Sequence, residues 1–152
     1  MTDVWFYHLE TQPLDRVLPT LLQRSLNRGW RVCVQAASPE RVQALDAMLW
    51  TFEEASFLPH GTAADGNAGK QPVLLTEDGQ NTNGARIRFF LDRVEVLPSI
   101  EGQGYERAVL LFDGADEDAV QDARRQWTSL KAAGHAVTYW QQSEDGRWEK
   151  RA

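Results

Sequence analysis

The apolar residues in the first third of the chain change their period repeatedly, which predicts strands and helices in alternation. Residues 4–9 form a β-branched and aromatic run that is typical of a strand. Residues 14–26 carry apolar side chains at helical spacing, although Pro19 within them predicts either a kink or a helix that begins nearer the proline. A second strand is predicted at 31–37, and Ser38-Pro39 provides an N-cap and a proline at the first position of a second helix. One face of that helix is apolar, with Val42, Leu45, Met48, Leu49 and Phe52.

The rest of the chain contains shorter apolar runs separated by turn-forming residues. The segment 60–70 is rich in small and turn-forming residues and predicts an exposed loop. Acidic residues at 116–118 favour a helix start, because they suit the positive end of the helix dipole, and apolar residues then recur at helical spacing up to Gly134. Residues 136–141 predict a last strand, and the charged segment after them predicts a frayed tail. Three further strands are predicted at 72–76, 87–91 and 107–112.

This order of elements predicts an α/β fold. Strands that alternate with helices require crossover connections, so we expect a mainly parallel sheet covered by helices on both faces. The expected architecture is a single three-layer αβα domain over residues 1–142, followed by a charged C-terminal tail over residues 143–152. No internal repeat, low-complexity segment or shift in composition indicates a second domain.

Composition and charge narrow the class of protein. Hydrophobic residues make up 42% of the 152 residues and charged residues 25%, which is typical of globular chains. No window reaches the roughly 18 apolar residues of a membrane span. The net charge is -6, with 22 acidic against 16 Lys and Arg residues, whereas free-standing nucleic-acid binders are normally basic. We therefore expect neither direct DNA binding nor membrane association. Cys33, between two valines, predicts a small buried side chain in a cytoplasmic protein.

No motif for a nucleotide, a metal or a catalytic nucleophile is complete. A phosphate-binding loop needs Gly, four residues, Gly-Lys and then Ser or Thr before a helix. The four-residue gap separates Gly61 from Gly66, but no lysine follows Gly66. The pair Gly69-Lys70 has the lysine, but it lacks both the first glycine and the hydroxyl residue of the motif. The histidines and the cysteine do not have the short spacing of metal ligands. We therefore predict a Rossmann-like fold without a nucleotide-binding loop, cofactor or catalytic residues; the alternative is a small nucleotide-dependent or hydrolytic αβα enzyme.

Six tryptophans are several times the ordinary usage, and Trp is favoured where an apolar ring meets a partner. We assign Trp50 and Trp127 to partner surfaces and expect structural roles for Trp5, Trp30 and Trp140, with Trp148 unassigned in the tail. Trp50 and Phe57 either complete the core or form an exposed anchor pair. Arg124, Trp127 and Lys131 fall at i, i+3 and i+7 of the last helix, so they share one stripe. Such a stripe suits a peptide that combines acids with an apolar side chain. The alternative is a solvated basic face with Trp127 in the core.

Several of these segments resemble the chi subunit family of bacterial DNA polymerase III. The most specific part is Leu-Asp-x-x-Leu-Trp at 45–50 followed by Ser-Phe-x-Pro-His at 56–60. The remaining matches are Phe6-Tyr7, Gly29-Trp30-Arg31-Val32, Pro72-Val73 and the helix from Ala123-Arg124 to Ala133-Gly134. The resemblance therefore covers nearly the whole chain.

This resemblance implies a non-catalytic accessory subunit of the clamp-loader assembly of the replicative polymerase. Proteins of the family bind the acidic, apolar-tipped C-terminal tail of single-stranded-DNA-binding protein, and another surface binds the psi subunit. By this resemblance, Arg124 and Trp127 match the tail-binding helix. Trp50 and Phe57, with the adjoining Leu58, match the psi-type partner surface. The sequence leaves open whether a helicase-type partner uses the same surface.

The last helix departs from the family pattern at one position. The family has a basic residue directly after the aromatic one, whereas this chain has Thr128. Either Lys131 supplies that charge one turn later or the tail binds more weakly. The predicted tail-binding residues are therefore Arg124, Trp127, Thr128 and Lys131.

Overall fold

A computed structural model describes residues 2–51 and 58–152 of the chain. Its helices are α1 (Leu14–Asn27), α2 (Pro39–Thr51), α3 (Leu97–Ile100) and α4 (Glu117–Ala132), with two 3-10 turns at Ala63–Asp65 and Ala68–Lys70. Its strands are β1 (Asp3–Leu9), β2 (Val32–Gln35), β3 (Gly61–Thr62), β4 (Val73–Thr76), β5 (Ile87–Phe90), β6 (Arg107–Asp113), β7 (Ala136–Gln142) and β8 (Trp148–Lys150).

The eight strands form one sheet in the order β3-β4-β2-β5-β6-β1-β7-β8. Neighbouring strands run parallel except β7 and β8, which are antiparallel. Two apolar clusters cover the two faces, one containing the buried side of α1 and α2 and the other the buried side of α3 and α4. The predicted three-layer αβα fold with a mainly parallel sheet is confirmed.

Helix α1 begins at Leu14 and contains Pro19 in its interior, so the predicted later start is wrong. Proline at this position removes the hydrogen bond that a residue here would donate to the carbonyl of Asp15. The loss is confined to one turn, and the helix buries an apolar face on both sides of it, which offsets the cost. That face consists of Val17, Leu18, Leu21 and Leu22.

The predicted N-cap and apolar face of α2 agree with the structure where it describes them. Ser38 Oγ accepts a hydrogen bond from the backbone N–H of Arg41 at 3.2 Å. Val42, Leu45 and Leu49 are buried and Met48 is partly buried, while Phe52 lies outside the described residues.

Two segments predicted to be irregular join the sheet instead. The predicted loop at 60–70 begins with β3, which is buried against β4 and is followed by a turn in which the N–H of Thr62 donates to Asp65 at 2.8 Å. The predicted frayed tail contains β8, because the ring of Trp148 packs on Tyr7 with centroids 4.7 Å apart. Long-range packing overrides the polar composition of both segments.

Cys33 is buried on β2, as its position between valines predicts. Burial raises the pKa of its thiol to about 11, although the nearby Arg88 charge opposes that rise. The described part of the chain contains no helix long and apolar enough to cross a bilayer. Within the same residues, no group of three or more His, Cys, Asp or Glu side chains is arranged to hold a metal ion.

Candidate functional site

Helix α4 is capped by an acid at its start and is joined by a buried amide in its middle to the segment that precedes α3. Asp116 Oδ1 accepts hydrogen bonds from the N–H groups of Asp118 (3.0 Å) and Ala119 (3.3 Å), which a helix start otherwise leaves free. The buried Gln126 accepts from the N–H of Val96 at 2.9 Å and donates to the carbonyl of Val94 at 3.1 Å. The Gln126 contacts, together with the buried Ala123 and Leu130, determine which side chains of α4 face solvent.

Trp127 lies at the boundary between the core and the solvent. Its ring centroid is 5.3 Å from that of Phe6 on β1 and 6.0 Å from that of Tyr139 on β7. The residue is half-buried. The sequence left open whether Trp127 is a core residue or a partner contact. The structure allows both roles, because part of the ring packs in the core and part stays open to solvent.

The cations beside Trp127 differ in whether their charge is already compensated. Arg125 forms ion pairs with Glu95 and, at 2.7 Å, with Asp122. Arg124 and Lys131 are exposed and form no ion pair with any residue in 2–51 or 58–152. The uncompensated positive charge of α4 thus lies one turn before and one turn after the tryptophan.

Thr128 is exposed next to Trp127 and uses its hydroxyl locally. Its Oγ1 donates a hydrogen bond to the backbone carbonyl of Arg124 at 3.2 Å. This position therefore adds no charge to the stripe, and Lys131 is the second cation that α4 presents beside the ring. We call Arg124, Trp127, Thr128 and Lys131 the α4 stripe.

Two residues that the sequence did not single out adjoin the α4 stripe. His8 Nδ1 and the hydroxyl of Tyr139 are 2.5 Å apart. Burial lowers the pKa of His8, the Glu10 carboxylate opposes that shift, and the Arg124 charge adds to it. Burial raises the pKa of Tyr139, and Arg124 opposes that rise. Arg124 therefore acts electrostatically on both groups, which the parallel pairing of β1 with β7 brings together.

Trp50 marks a second exposed surface, on α2. The side chain is 54% exposed, and its ring centroid is 4.6 Å from that of His60. His60 is itself fixed, because its Nδ1 lies 2.7 Å from the carbonyl oxygen of Leu58 and its Nε2 lies 3.0 Å from the Asp46 carboxylate. Leu58 is only 2% exposed and packs in the core, so we exclude it from this surface. Phe57 lies outside the described residues.

A crevice of about 790 Å³ opens at the carboxyl ends of the strands, where parallel α/β sheets usually bind ligands. Four carboxylates line it, from Glu10, Asp92, Asp113 and Asp116. The two cations in its lining are Arg41 and Arg93, and Arg41 is already paired with Asp92 at 3.1 Å. This excess of negative charge disfavours a nucleotide or another anionic ligand.

The turn between β1 and α1, where a dinucleotide fold places its phosphates, is occupied by a side chain of the protein itself. Three successive N–H groups, of Glu10, Thr11 and Gln12, donate to Gln142 Oε1 at 3.5, 3.1 and 3.0 Å. Gln142 is 1% exposed, and its Nε2 donates to Gln12 Oε1 at 2.9 Å. An amide oxygen therefore takes the place that a phosphate oxygen would need.

Comparison with known proteins gives the same family as the sequence motifs. Residues 1–138 match the family model described as DNA polymerase III chi subunit, HolC. A probable DNA polymerase III subunit chi from Rickettsia prowazekii (strain Madrid E) is 21% identical over 111 residues, covering 70% of this chain and 67% of that protein. The protein is therefore a member of the chi subunit family of DNA polymerase III.

Proposed function

We propose that this protein is a non-catalytic adaptor of the cytoplasmic replication machinery. It connects the clamp-loader complex of DNA polymerase III to single-stranded-DNA-binding protein by holding the acidic C-terminal tail of that protein. The observation that carries the proposal is the α4 stripe, with a half-buried tryptophan between two exposed cations that have no ion-pair partner among the described residues. The family to which the chain belongs supports the replication role.

The α4 stripe offers one contact for each chemical feature of such a tail. Carboxylates of the tail accept hydrogen bonds from Arg124 and attract Lys131, and an apolar tip covers the open part of the Trp127 ring. The ring of Trp127 already packs against the rings of Phe6 and Tyr139 in the free protein. Little side-chain entropy is therefore lost when the tail binds.

Replacing Arg124 by glutamine is expected to weaken tail binding about tenfold, because one charge-assisted hydrogen bond is lost. The measurement is an isothermal titration of a synthetic tail peptide into the wild-type protein and each variant. Arg125→Gln is the matched control, since it removes the same charge from the next residue, whose guanidinium is already bound to Glu95 and Asp122. Its affinity is expected to stay within about twofold of wild type.

Equal affinities for Arg124→Gln and Arg125→Gln would contradict the assignment of the tail to the α4 stripe. A peptide that lacks the apolar terminal residue separates charge attraction from ring contact. If it binds as tightly as the complete peptide, Trp127 does not receive the tip.

The surface around Trp50 is the second docking site in this proposal, for psi or an equivalent clamp-loader subunit. A Trp side chain that is 54% exposed is costly to leave in water and is a frequent anchor at interfaces. It lies on α2, whereas the α4 stripe lies on the opposite face of the sheet. Both partners can therefore bind one molecule at the same time, as a bridging role requires.

Trp50→Ala is expected to weaken binding of the psi-type partner by at least about tenfold while leaving tail-peptide affinity unchanged. The measurement is surface plasmon resonance with the partner immobilised. Gln43→Ala, at another exposed position of α2, is the control and should bind like wild type. Loss of tail binding in Trp50→Ala, or undiminished partner binding, would overturn the assignment of two separate surfaces.

A further inference from the structure

A second cluster of cations lies on the face of the sheet opposite α4, near the amino ends of the strands. Arg24 and Arg28 come from the C-terminal end of α1, and Arg107 is the first residue of β6. Together with Trp5 and Trp30 they line a pocket of about 90 Å³. We call it the arginine pocket.

Arg107 is the central cation of the arginine pocket. Its Cζ lies 3.7 Å from the ring centroid of Trp5 and 5.6 Å from that of Trp30, and the Cζ of Arg28 lies 5.2 Å from the ring centroid of Trp30. The two indole rings thus hold the guanidinium of Arg107 in place by cation–π contact. Trp5 is oriented in turn by its Nε1, which donates to Asp3 at 3.0 Å.

The positive charge of the arginine pocket is only partly compensated by described residues, of which the Asp3 carboxylate acts on Arg107. None of its three guanidinium groups forms an ion pair or a hydrogen bond within residues 2–51 and 58–152, and the buried Nε of Arg107 has no acceptor there. Burial lowers the pKa of Arg107, the charge of Arg28 lowers it further, and the Asp3 carboxylate opposes both. Burial raises the pKa of Tyr7, and the charges of all three arginines oppose that rise. All three charges therefore lie near the Tyr7 hydroxyl.

A purely structural role accounts for only part of this cluster. Arg24 and Arg28 complement the negative end of the α1 dipole. That role does not explain why the partly buried Arg107, whose Nε is enclosed without an acceptor, lines the same pocket. Repulsion between like charges and a missing hydrogen bond both cost stability. A bound anion would offset these costs.

We propose that the arginine pocket binds the terminal phosphate of a phosphate monoester, from a free nucleotide or from the 5′ end of a nucleic-acid strand. A phosphate dianion presents three oxygens and two charges to three guanidinium groups, whereas a carboxylate presents two oxygens and one charge. A pocket of about 90 Å³ has the room of about three water molecules. It therefore admits one phosphate group and leaves any nucleoside outside.

The test is an NMR titration at constant ionic strength that follows the Nε–H signal of Arg107 and the indole N–H signals of Trp5 and Trp30. The probes are inorganic phosphate, thymidine 5′-monophosphate, and a short oligothymidylate with and without a 5′-phosphate. Saturable shifts of these signals are expected with inorganic phosphate, with the mononucleotide and with the 5′-phosphorylated strand, but not with the strand that lacks a 5′-phosphate. Tighter binding of the 5′-phosphorylated strand than of the mononucleotide identifies a strand end as the source, and equal affinity identifies a free nucleotide.

The double variant Arg24→Gln/Arg28→Gln is expected to bind phosphate at least tenfold more weakly, and it keeps the fold because both side chains are exposed. Arg93→Gln/Arg147→Gln removes two exposed charges that do not line the arginine pocket and should bind like wild type. The proposal is overturned by the absence of saturable shifts or by equal affinity in the two double variants. It is also overturned if an acidic peptide displaces phosphate at lower concentration than phosphate displaces the peptide.

Discussion

Replacing Arg88 by methionine is expected to lower the free energy of unfolding by about 3–5 kcal/mol, the largest loss from any single change considered. Arg88 lies on β5 in the interior of the sheet and is 0% exposed. Its guanidinium donates to Gln35 Oε1 at 2.7 and 3.1 Å and to the Tyr105 hydroxyl at 3.2 Å. It also donates to the Cys33 sulfur and to the backbone carbonyls of Asp78 and Gln80.

Methionine can fill the volume of Arg88, but it leaves the buried acceptors on Gln35, Cys33 and Tyr105 without this donor. Urea denaturation followed by circular dichroism measures the loss. The control is Arg86→Met, two residues earlier, where the side chain is exposed and its ion pair with Glu106 is 3.4 Å long. That change should cost less than about 1 kcal/mol. Similar losses for the two variants would show that the buried hydrogen bonds of Arg88 do not stabilise the fold.

Gln142→Leu is expected to lower the free energy of unfolding by about 2–4 kcal/mol, because the N–H groups of Thr11 and Gln12 lose their acceptor. Leucine has nearly the same size, so the loss reports the hydrogen bonds and not a cavity. The same variant should speed hydrogen exchange at Thr11 and Gln12. Gln141→Leu is the matched control, since that side chain instead donates to the exposed Glu10 at 2.7 Å.

Unchanged exchange at Thr11 and Gln12 in Gln142→Leu would contradict the view that this side chain closes the β1–α1 turn. Binding of a nucleotide by the variant alone would indicate that Gln142 also excludes phosphates from the turn. Such a result would connect the fold's resemblance to nucleotide-binding domains with the replacement of a ligand by an internal amide.

The sequence predicts those features of the fold that depend on neighbours along the chain. The start of α4 is predictable because Asp116 caps N–H groups two and three residues away. The same is true of Ser38, which caps α2 three residues on. The α4 stripe follows from helical spacing alone, and so the candidate site could be located on its helix before its surroundings were known.

The features that could not be predicted depend on contacts across the sheet. β8 forms because Trp148 packs on Tyr7, 141 positions earlier, and Gln142 reaches a turn 130 residues away. The difference between Arg124 and Arg125 is also tertiary, since Glu95 is 30 residues from its partner. Helical spacing places Arg124 and Arg125 on one helix, but it does not indicate which of the two forms an ion pair.

The two edges of the sheet have a consequence for how partners can attach. One edge is β3, with two residues, and the other is β8, with three residues of which Glu149 and Lys150 are exposed and charged. Short and charged edges resist pairing with a strand from another chain. Partners of this protein are therefore expected to be recognised by side chains on the helical faces and not by extension of the sheet, which also protects the chain from edge-to-edge aggregation.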